Sequence, residues 1–292
     1  MKTYVMRWGK YRLTLGPRTL IMGILNVTPD SFSDGGKYIR PDEAVERGEQ
    51  MAAAGADIID IGGESTRPFS EGVSAKEEIQ RVIPVIETLS RRIAAPISID
   101  TTKAAVAEAA LRAGASIVND IGALRLDVGL ADVAADYDVP LILMHMQGTP
   151  KNMQVEPRYG NLFAEINTFL EKAMVTAEKH GVSRTRIILD PGIGFGKTTG
   201  HNLQILKHLE FMESLDRPVL VGSSRKAFIR KTLTNEAMPE LPPAHPFVET
   251  GTQATVAAAV MKGAHIVRVH DVANTRATVN VLTAIKQAEV AS

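Results

Sequence analysis

Polar side chains able to bind a ligand follow nearly every short apolar run of this chain. They are Asn26, Asp100, Asn119, Asp190, Lys226, Arg268 and His270. Taken singly, each has a plain structural explanation: Asp100 could cap a helix, Asn119 with Asp120 could form a turn, and His270 could be a surface histidine. Their recurrence at the same point of successive segments favours one shared site instead.

The acceptors and donors in this set match a flat, nitrogen-rich ring. Asp100, Asn119 and Asp190 offer carboxylate and amide oxygens, while Asn119 and Lys226 offer N–H groups. A carboxylate accepts two parallel N–H bonds, which is the arrangement that an amino-amide edge of a heterocycle presents. We therefore expect a heterocyclic ligand.

A second group of residues has the donors that an anion needs. Arg67, Ser224, Arg268 and His270 suit a phosphate or sulfate. Asn26 is a neutral oxygen ligand of the kind that holds Mg²⁺ together with substrate phosphates. The predicted ligand is a heterocycle that carries a phosphate group, with Mg²⁺ assisting. The sequence shows no Ser-His-Asp arrangement and no H-E-x-x-H motif.

The stretch LDPGIGFGKT (189–198) resembles a nucleotide loop only superficially. A P-loop needs glycine five residues before the Gly-Lys pair, and Pro191 occupies that position. The spacing of Gly192, Gly194 and Gly196 also differs from G-x-G-x-x-G. This segment is instead interpreted as the end of a strand, with Asp190 as its functional residue and Phe195 against a ring.

Short runs rich in Ile and Val alternate with helical patterns along the chain. Strands are predicted near residues 20–25, 57–62, 97–100, 116–119, 141–145, 187–190, 219–223 and 265–269. Eight strands that alternate with helices indicate a (β/α)₈ TIM barrel, an α/β fold whose sites lie at the C-terminal strand ends. The alternative is an open, doubly wound sheet.

We expect one domain over residues 1–292, with an N-terminal β-hairpin in 1–17 and the barrel in 18–292. Helices are predicted over 74–91, 102–114, 161–180 and 250–262. A capping box at Ser74 and Glu77 begins the first of these, and Pro84 is expected to kink or break it. Residues 232–250 contain four prolines and are predicted to be a long loop.

The composition excludes several classes of function. Net charge is zero, from 33 basic and 33 acidic residues, which gives no electrostatic case for nucleic acid or membrane binding. With no cysteine, disulfides and thiolate zinc sites are excluded. No signal-peptide core and no transmembrane-length apolar run occur, so a cytoplasmic protein is expected.

The motifs together resemble those of the dihydropteroate synthase family. They are NVTPDSFSDGG (26–36), GGESTRP (62–68), SIDTTK (98–103), IVNDI (117–121), LMHMQGTPKNMQ (143–154), LDPGIGFGK (189–197), GSSRK (222–226) and RVHDV (268–272). The resemblance covers about residues 19–285. The 232–250 segment looks longer and richer in proline than the family pattern.

The resemblance implies a role for each matched residue. The pterin subsite is Asp100, Asn119, Asp190 and Lys226, lined by Met144, Phe195 and Gly222. The pyrophosphate subsite is Arg268 and His270 with Thr66 nearby, and Asn26 holds Mg²⁺. The aminobenzoate subsite is Phe32, Ser33, Thr66, Arg67, Pro68, Ser224 and Lys226. Loops 27–38 and 64–72 close over the site, and Asp34 orders them.

The implied reaction joins 6-hydroxymethyl-7,8-dihydropterin pyrophosphate to 4-aminobenzoate, releases pyrophosphate and forms 7,8-dihydropteroate in folate biosynthesis. Sulfonamides are expected to compete for the aminobenzoate site. The alternatives are a pterin-binding methyltransferase and a paralogue without activity, although Asn26, Arg67, Lys226, Arg268 and His270 are all present. The family is usually homodimeric; an apolar face at Val279, Leu282 and Ile285 could serve an interface, but ordinary barrel packing is favoured.

Overall fold

Eight parallel strands form the centre of the molecule. The computed structural model describes residues 2–28, 41–65, 72–149, 151–236 and 238–288. The barrel strands are β3 (Leu20–Asn26), β4 (Ile58–Gly62), β5 (Ile97–Asp100), β6 (Ile117–Asp120), β7 (Leu141–Met144), β8 (Ile187–Asp190), β9 (Leu220–Val221) and β10 (Ile266–Val269). They pair in the order β8-β7-β6-β5-β4-β3-β10-β9, and a parallel bridge between Leu189 and Val219 joins the two ends. The predicted barrel is confirmed, and the open sheet is excluded.

The strands form because their residues are apolar on both sides. Every residue of β4, β5, β6, β7 and β8 is buried. A parallel strand covered by helices outside and packed side chains inside needs this pattern, in contrast to the alternating pattern of a half-exposed strand. The predicted strand positions therefore agree with the observed ones to within one or two residues.

Helices surround the barrel in the described part of the chain. They are α1 (Pro41–Ala53), α2 (Ala75–Arg92), α3 (Ala104–Ala113), α4 (Gly129–Asp136), α5 (Leu162–Lys179), α6 (Thr199–Lys207), α7 (Ala227–Leu233), α8 (Pro246–Met261) and α9 (Val272–Gln287). Short 3₁₀ turns occur at Arg184–Arg186 and Leu209–Leu215. Among the helices of the described ranges, none has both the length and the apolar character that crossing a bilayer requires.

Helix α2 runs without a break through Pro84, so the predicted break is wrong. A proline inside a helix costs about 3 kcal/mol or more. Its neighbours Val82, Val85 and Ile86 are completely buried, and each contributes roughly 1.5–3 kcal/mol, which outweighs that cost. Only half of the expected capping box forms, because the Ser74 hydroxyl accepts from the Glu77 amide while the Glu77 carboxylate pairs with Arg81.

An N-terminal hairpin lies at the opposite end of the barrel from the strand C-termini. Strands β1 (Tyr4–Trp8) and β2 (Tyr11–Leu15) pair antiparallel, as predicted. Met6, Trp8 and Leu15 point into the core. The chain before β1 is held by His265, whose Nε2 lies 3.0 Å from the Lys2 carbonyl oxygen and whose Nδ1 accepts from the Val219 amide. The hairpin thus seals the base of the barrel and leaves its mouth for a ligand.

The proline-rich segment after the seventh barrel strand is shorter than the prediction. Helix α7 ends at Leu233 and α8 begins at Pro246, so the irregular path covers only residues 234–245. The prediction extends the loop too far because it treats Pro246 as a loop residue, whereas Pro246 begins α8. A proline in the first helical turn needs no amide hydrogen bond, and the His245 ring accepts from the Phe247 amide to cap the helix.

Candidate active site

The strand register places four consecutive strands at one level of the barrel mouth. Asn26 pairs with Gly62, Gly62 with Asp100, and Asp100 with Asn119. Because adjacent positions in a parallel register point the same way, these residues form a short row at the mouth. A Cβ on Gly62 would lie 3.5 Å from Asp100 Cβ, so the glycine keeps this part of the row narrow. The register therefore brings three of the predicted site residues, Asn26, Asp100 and Asn119, to the same level of the mouth.

An arginine bridges two carboxylates inside this mouth. Arg268 on β10 donates from Nε to Asp60 Oδ2 at 2.6 Å and from Nη2 to Asp100 Oδ2 at 2.7 Å. Asn119 Nδ2 also donates to Asp60 Oδ2, at 3.2 Å. Asp60 is completely buried. Sequence reasoning missed Asp60, although a charged residue in the middle of the apolar run IIDIG was a usable signal, since buried carboxylates need partners.

The acceptors of this network are not all satisfied. Asp60 Oδ1 and Asp100 Oδ1 are buried and accept no hydrogen bond from the described residues. Burial raises the pKa of Asp100, the Arg268 guanidinium opposes this rise, and the neighbouring Asp60 carboxylate adds to it. An unsatisfied buried acceptor is costly, so a ligand that donates N–H groups here would gain the energy otherwise lost.

Asp190 ends β8 and is held by the loop that follows it. Its Oδ1 accepts from the Gly192 amide at 2.7 Å, while Oδ2 receives no hydrogen bond from the described residues. Burial raises its pKa, and the charge of Lys226 is the largest opposing influence. Gly192 has φ of +69°, and a Cβ there would lie 1.8 Å from the His145 carbonyl oxygen, so only glycine fits.

Lys226 begins α7 and reaches across to the same loop. Its Nζ donates to the Ile193 carbonyl oxygen and lies 4.4 Å from the centre of the Phe195 ring. Burial is the main cause that lowers the pKa of Lys226 to about 8, and Asp190 acts in the opposite direction. A Cβ on Gly194 would come 2.7 Å from the Lys226 side chain, so this glycine is needed for the close approach.

Ser224 and His270 form a hydrogen-bonded pair beside Arg268. The Ser224 Oγ lies 2.9 Å from His270 Nδ1 and also accepts from the His270 amide at 3.3 Å. At Gly222, an added Cβ would lie 3.7 Å from Arg268 and 3.9 Å from Lys226 Nζ. These residues lie together, as predicted.

One wall of the mouth is apolar. Met144, at the end of β7, packs with Ile121, Met146 and Met153, and the half-buried Phe195 ring covers this cluster. Thioether sulfurs make favourable contacts with aromatic ring edges and adapt to a flat surface. The predicted lining residues Met144 and Phe195 are therefore neighbours, on the side of the mouth where Asp190 lies.

The two residues that end β6 have separate tasks. Asp120 accepts from the Gly122 and Leu124 amides at 2.7 and 2.6 Å, so it stabilises a turn. Asn119 faces the mouth instead. Asp100 does not cap α3, whose first residue follows Lys103 without a side-chain cap. The structural alternatives considered for these residues thus hold only for Asp120.

Six of the predicted site residues lie outside the described residues. They are Phe32, Ser33, Asp34, Thr66, Arg67 and Pro68. Most of the two segments predicted to close over the site, 27–38 and 64–72, is likewise outside the described ranges. The expectations for these residues stay predictions.

Asn26 has the character expected of a ligand to a magnesium ion. Its side chain makes no hydrogen bond within the described residues and is partly exposed at the end of β3. The described residues contain no group of three or more His, Asp or Glu that could enclose a metal. Mg²⁺ commonly keeps several waters and binds through one or two protein oxygens plus substrate phosphates, so the residues present fit such a site.

A separate cleft of about 470 Å³ lies on the outside of the barrel between the end of β7 and α5. Arg125, His145, Tyr159 and Phe169 are among its lining residues. None of the strand-end carboxylates lines it. The ring of His145 and the 192–196 loop separate this cleft from the mouth, so it is not the predicted catalytic pocket.

Comparison with known proteins shows which family this chain resembles. Residues 22–270 match the family model described as "Pterin binding enzyme". The dihydropteroate synthase of a Synechocystis species is 48% identical over 88% of this chain and 86% of its own length. A Xanthomonas albilineans dihydropteroate synthase structure with 4-aminobenzoic acid has a TM-score of 0.89 at 42% identity, covering 99% of this chain and 100% of the other. A Yersinia pestis dihydropteroate synthase in a sulfonamide complex gives the same TM-score and identity, covering 98% and 100%.

The barrel, its acceptor-lined mouth and the family match define a pterin-binding barrel enzyme. Within that class, this chain belongs to the dihydropteroate synthase family. It is a transferase, and its reaction joins 6-hydroxymethyl-7,8-dihydropterin pyrophosphate to 4-aminobenzoate.

The low pKa of Lys226 predicts how the rate depends on pH. Because the folded pKa is about 8, the ammonium is lost as the pH rises above that value. We expect kcat/KM for the dihydropterin substrate to fall by about tenfold per pH unit beyond this midpoint. Steady-state rates between pH 6.5 and 9.5 measure it. Lys226→Arg, which stays charged, should retain measurable activity without the alkaline fall; a wild-type profile that is flat across this range would contradict the prediction.

Proposed function

We propose that the pterin ring is bound by Asp100, Asn119, Asp190 and Lys226 in the barrel mouth. The observation that carries this proposal is a set of acceptors at neighbouring strand ends that receive no hydrogen bond from the described residues: the buried Asp100 Oδ1, Asp190 Oδ2 and the Asn119 amide oxygen. An amino-amide edge supplies parallel N–H donors to such acceptors, and Lys226 supplies a donor to a ring oxygen or nitrogen. The ring faces would contact Met144 and Phe195.

The diphosphate would lie on the other side of the mouth. Arg268 uses Nε and Nη2 to bind the two carboxylates, so the remaining Nη1 group is the one that would meet the leaving group. His270 is held beside Arg268 by its hydrogen bond to Ser224, and its imidazole would donate a hydrogen bond to the anion. Asn26 would hold a Mg²⁺ ion, which supplies charge neutralisation to the diphosphate when bound.

In the reaction, the bond between the pterin methylene carbon and the diphosphate oxygen breaks, and a bond from that carbon to the aminobenzoate nitrogen forms. The amine loses one proton, and diphosphate leaves with the bonding electron pair. Positive charge develops on the pterin methylene and negative charge on the leaving oxygen. Carboxylates beside the ring and cations beside the diphosphate therefore stabilise the transition state, without a strong base for the weakly basic aromatic amine.

The 4-aminobenzoate and any sulfonamide would bind over the pterin, near Ser224 and Lys226, with Phe32, Ser33, Thr66, Arg67 and Pro68 around them. Support comes from the related structures described above, which contain 4-aminobenzoic acid and a sulfonamide drug. Asp34 would order the segments that cover the site.

We also propose a homodimer formed through α8 and α9. Val279 is buried and Leu282 packs against the core, so these two belong to the barrel, but Val281 and Ile285 are 61% and 56% exposed. Phe247 and Met261 on α8 are also half exposed. Exposed large apolar side chains on two packed helices favour association.

The dimer predicts twice the 31.5 kDa chain mass by sedimentation equilibrium. Val281→Glu should weaken association by about tenfold or more, because a charge would be buried in the interface. Val5→Glu, on the exposed hairpin, is the matched control and should leave the mass unchanged. A monomeric wild-type protein at micromolar concentration would rule out the dimer.

The activity and the metal are tested in one assay. Diphosphate release from the two substrates should require Mg²⁺, and Asn26→Ala should raise the half-saturating Mg²⁺ concentration by about tenfold through the loss of a ligand. Asn280→Ala, an exposed amide on α9, is the control. No diphosphate release above the blank would refute the function, and unchanged Mg²⁺ dependence in Asn26→Ala would refute only the metal site.

Replacing Asp190 with Asn should weaken pterin binding by about tenfold to a hundredfold, since an amide presents one acceptor and adds a donor. Calorimetric titration with a pterin measures this change. Asp120→Asn is the matched control: it alters a buried strand-end carboxylate whose oxygens are occupied by turn amides, so it should lower the melting temperature while leaving pterin affinity intact. Equal affinity in wild type and Asp190→Asn would show that the pterin lies elsewhere.

A further inference from the structure

Lys197, in the stretch that resembles a nucleotide loop, is not used by the functional assignments above. It lies in the loop between β8 and α6, and its side chain is only 3% exposed. A lysine this buried is ordinarily paired with a carboxylate. Among the ion pairs of the described residues, none includes Lys197, so its environment needs another explanation.

The partners of Lys197 are neutral. Its Nζ lies 2.8 Å from His145 Nδ1 and 3.0 Å from the Phe195 carbonyl oxygen, with the His145 carbonyl oxygen at 3.5 Å. Burial lowers the pKa of Lys197 well below its ordinary value and also lowers that of His145, so the His145 ring is neutral. Burial first, and then the Lys197 charge, lower the pKa of His145 to about 2. The Nζ therefore joins the end of β7 to the loop after β8.

These bonds come from the side of the loop opposite to the pterin subsite. The His145 ring packs edge-on against Phe169, with ring centres 4.8 Å apart, and Tyr159 donates its hydroxyl proton to the Gly196 carbonyl oxygen at 2.7 Å. These contacts lie on the side of the outer cleft. The same loop presents the Phe195 ring and Asp190 on its other side, toward Lys226.

A phosphate-binding role for Lys197 does not agree with this geometry. The Nζ hydrogen bonds are occupied by protein atoms, and the side chain is buried behind the loop. The Thr198 hydroxyl accepts from the His201 amide and so caps α6. The residues of this Gly-Lys-Thr sequence therefore hold the loop and the start of α6 in place.

We propose that Lys197, acting with His145, is a positioning residue of the pterin subsite. Its ammonium holds the carbonyl group of Phe195 against the end of β7, which sets the Phe195 ring beside Lys226 and fixes the path from Asp190 to Gly196. Its charge also favours the ionised form of Asp190, together with the larger influence of Lys226. This inference rests on the proposed placement of the pterin next to Asp190.

The main test is Lys197→Met, which keeps an unbranched apolar side chain of similar length. Replacing a buried charge by an apolar group is often neutral or stabilising, so we expect a folded protein. KM for the dihydropterin substrate and the calorimetric dissociation constant for a pterin should both rise by about tenfold, while kcat should change less than about threefold. Lys172→Met, on α5 beside the outer cleft, is the control and should match wild type.

A pH series separates this role from simple packing. Without the Lys197 charge, the pKa of Asp190 should rise, and the pH below which pterin affinity falls should move upward in Lys197→Met. Looser packing would hydrate Asp190 and lower its pKa, so it would move this midpoint in the opposite direction. A Lys197→Met protein that melts like wild type and binds the pterin within about twofold at every pH would overturn the proposal.

A pair of substitutions at His145 gives a second, independent test should Lys197→Met fail to fold. His145→Asn keeps an oxygen acceptor for Nζ and should stay within about threefold of wild-type pterin affinity, whereas His145→Phe keeps the ring packing without the acceptor and should lose about tenfold. Equal affinity of the two variants would overturn the proposal. If Asp190→Asn weakens pterin binding and Lys197→Met does not, only this inference is refuted. If Asp190→Asn has no effect on pterin binding, the proposed pterin placement is refuted.

Discussion

The Arg268 guanidinium binds Asp60 and Asp100 at once, and the positions of the other acceptors in the barrel mouth depend on this bridge. Two buried carboxylates this close repel each other, and removal of water makes the repulsion stronger. One guanidinium with a fixed planar shape neutralises part of that charge and leaves one oxygen of each carboxylate unbonded by the described residues. Asp60 in turn holds the Asn119 amide nitrogen, which turns the amide oxygen toward the ligand space. The mouth therefore has its acceptors in place before any ligand arrives.

Asp190 has a lysine on each side, and the two lysines differ in what surrounds them. Lys226 lies on the ligand side, over the face of the Phe195 ring, and burial brings its pKa to about 8. Lys197 lies behind the loop among a histidine nitrogen and carbonyl oxygens, and stronger burial lowers its pKa well below the ordinary value. The first is only partly buried, which suits a residue that would exchange partners with the proposed ligand. Lys197 is buried on all sides, which suits a residue that holds the backbone of the loop in place.

The sequence was sufficient to predict the barrel, because each parallel strand is buried on both sides and so appears as a short Ile- and Val-rich run. It also predicted that Asn26, Asp100 and Asn119 share the mouth, since these residues end consecutive strands. The partners of Asp60 and Lys197 could not be predicted for a physical reason: they depend on register and on which side of a loop a side chain lies. The charge of Asp60 inside an apolar run indicated only that it needs a buried partner. The continuity of α2 through Pro84 likewise depends on tertiary burial of Val82, Val85 and Ile86, which outweighs a local preference.

The fixed charged groups of the mouth explain how this pocket can favour a nucleophilic substitution at carbon that needs no strong base. Asp190 lies on the side proposed for the ring. Arg268 binds Asp60 and Asp100 and so lies between the two sides, and its Nη1 group would meet the diphosphate on the side proposed for His270 and Asn26. As the carbon–oxygen bond lengthens, the ring becomes more positive and the leaving group more negative, so each side stabilises the charge that forms next to it. Fixed groups stabilise developing charge best when they need not reorient during the reaction, and here the hydrogen bonds to Arg268, Gly192 and Ser224 already hold them. Phe195 also has to stay fixed during the reaction, because its ring centre lies 4.4 Å from Lys226 Nζ and a displacement of about one or two ångströms would disrupt this contact. Lys197, on the far side of the loop, holds the Phe195 backbone in place.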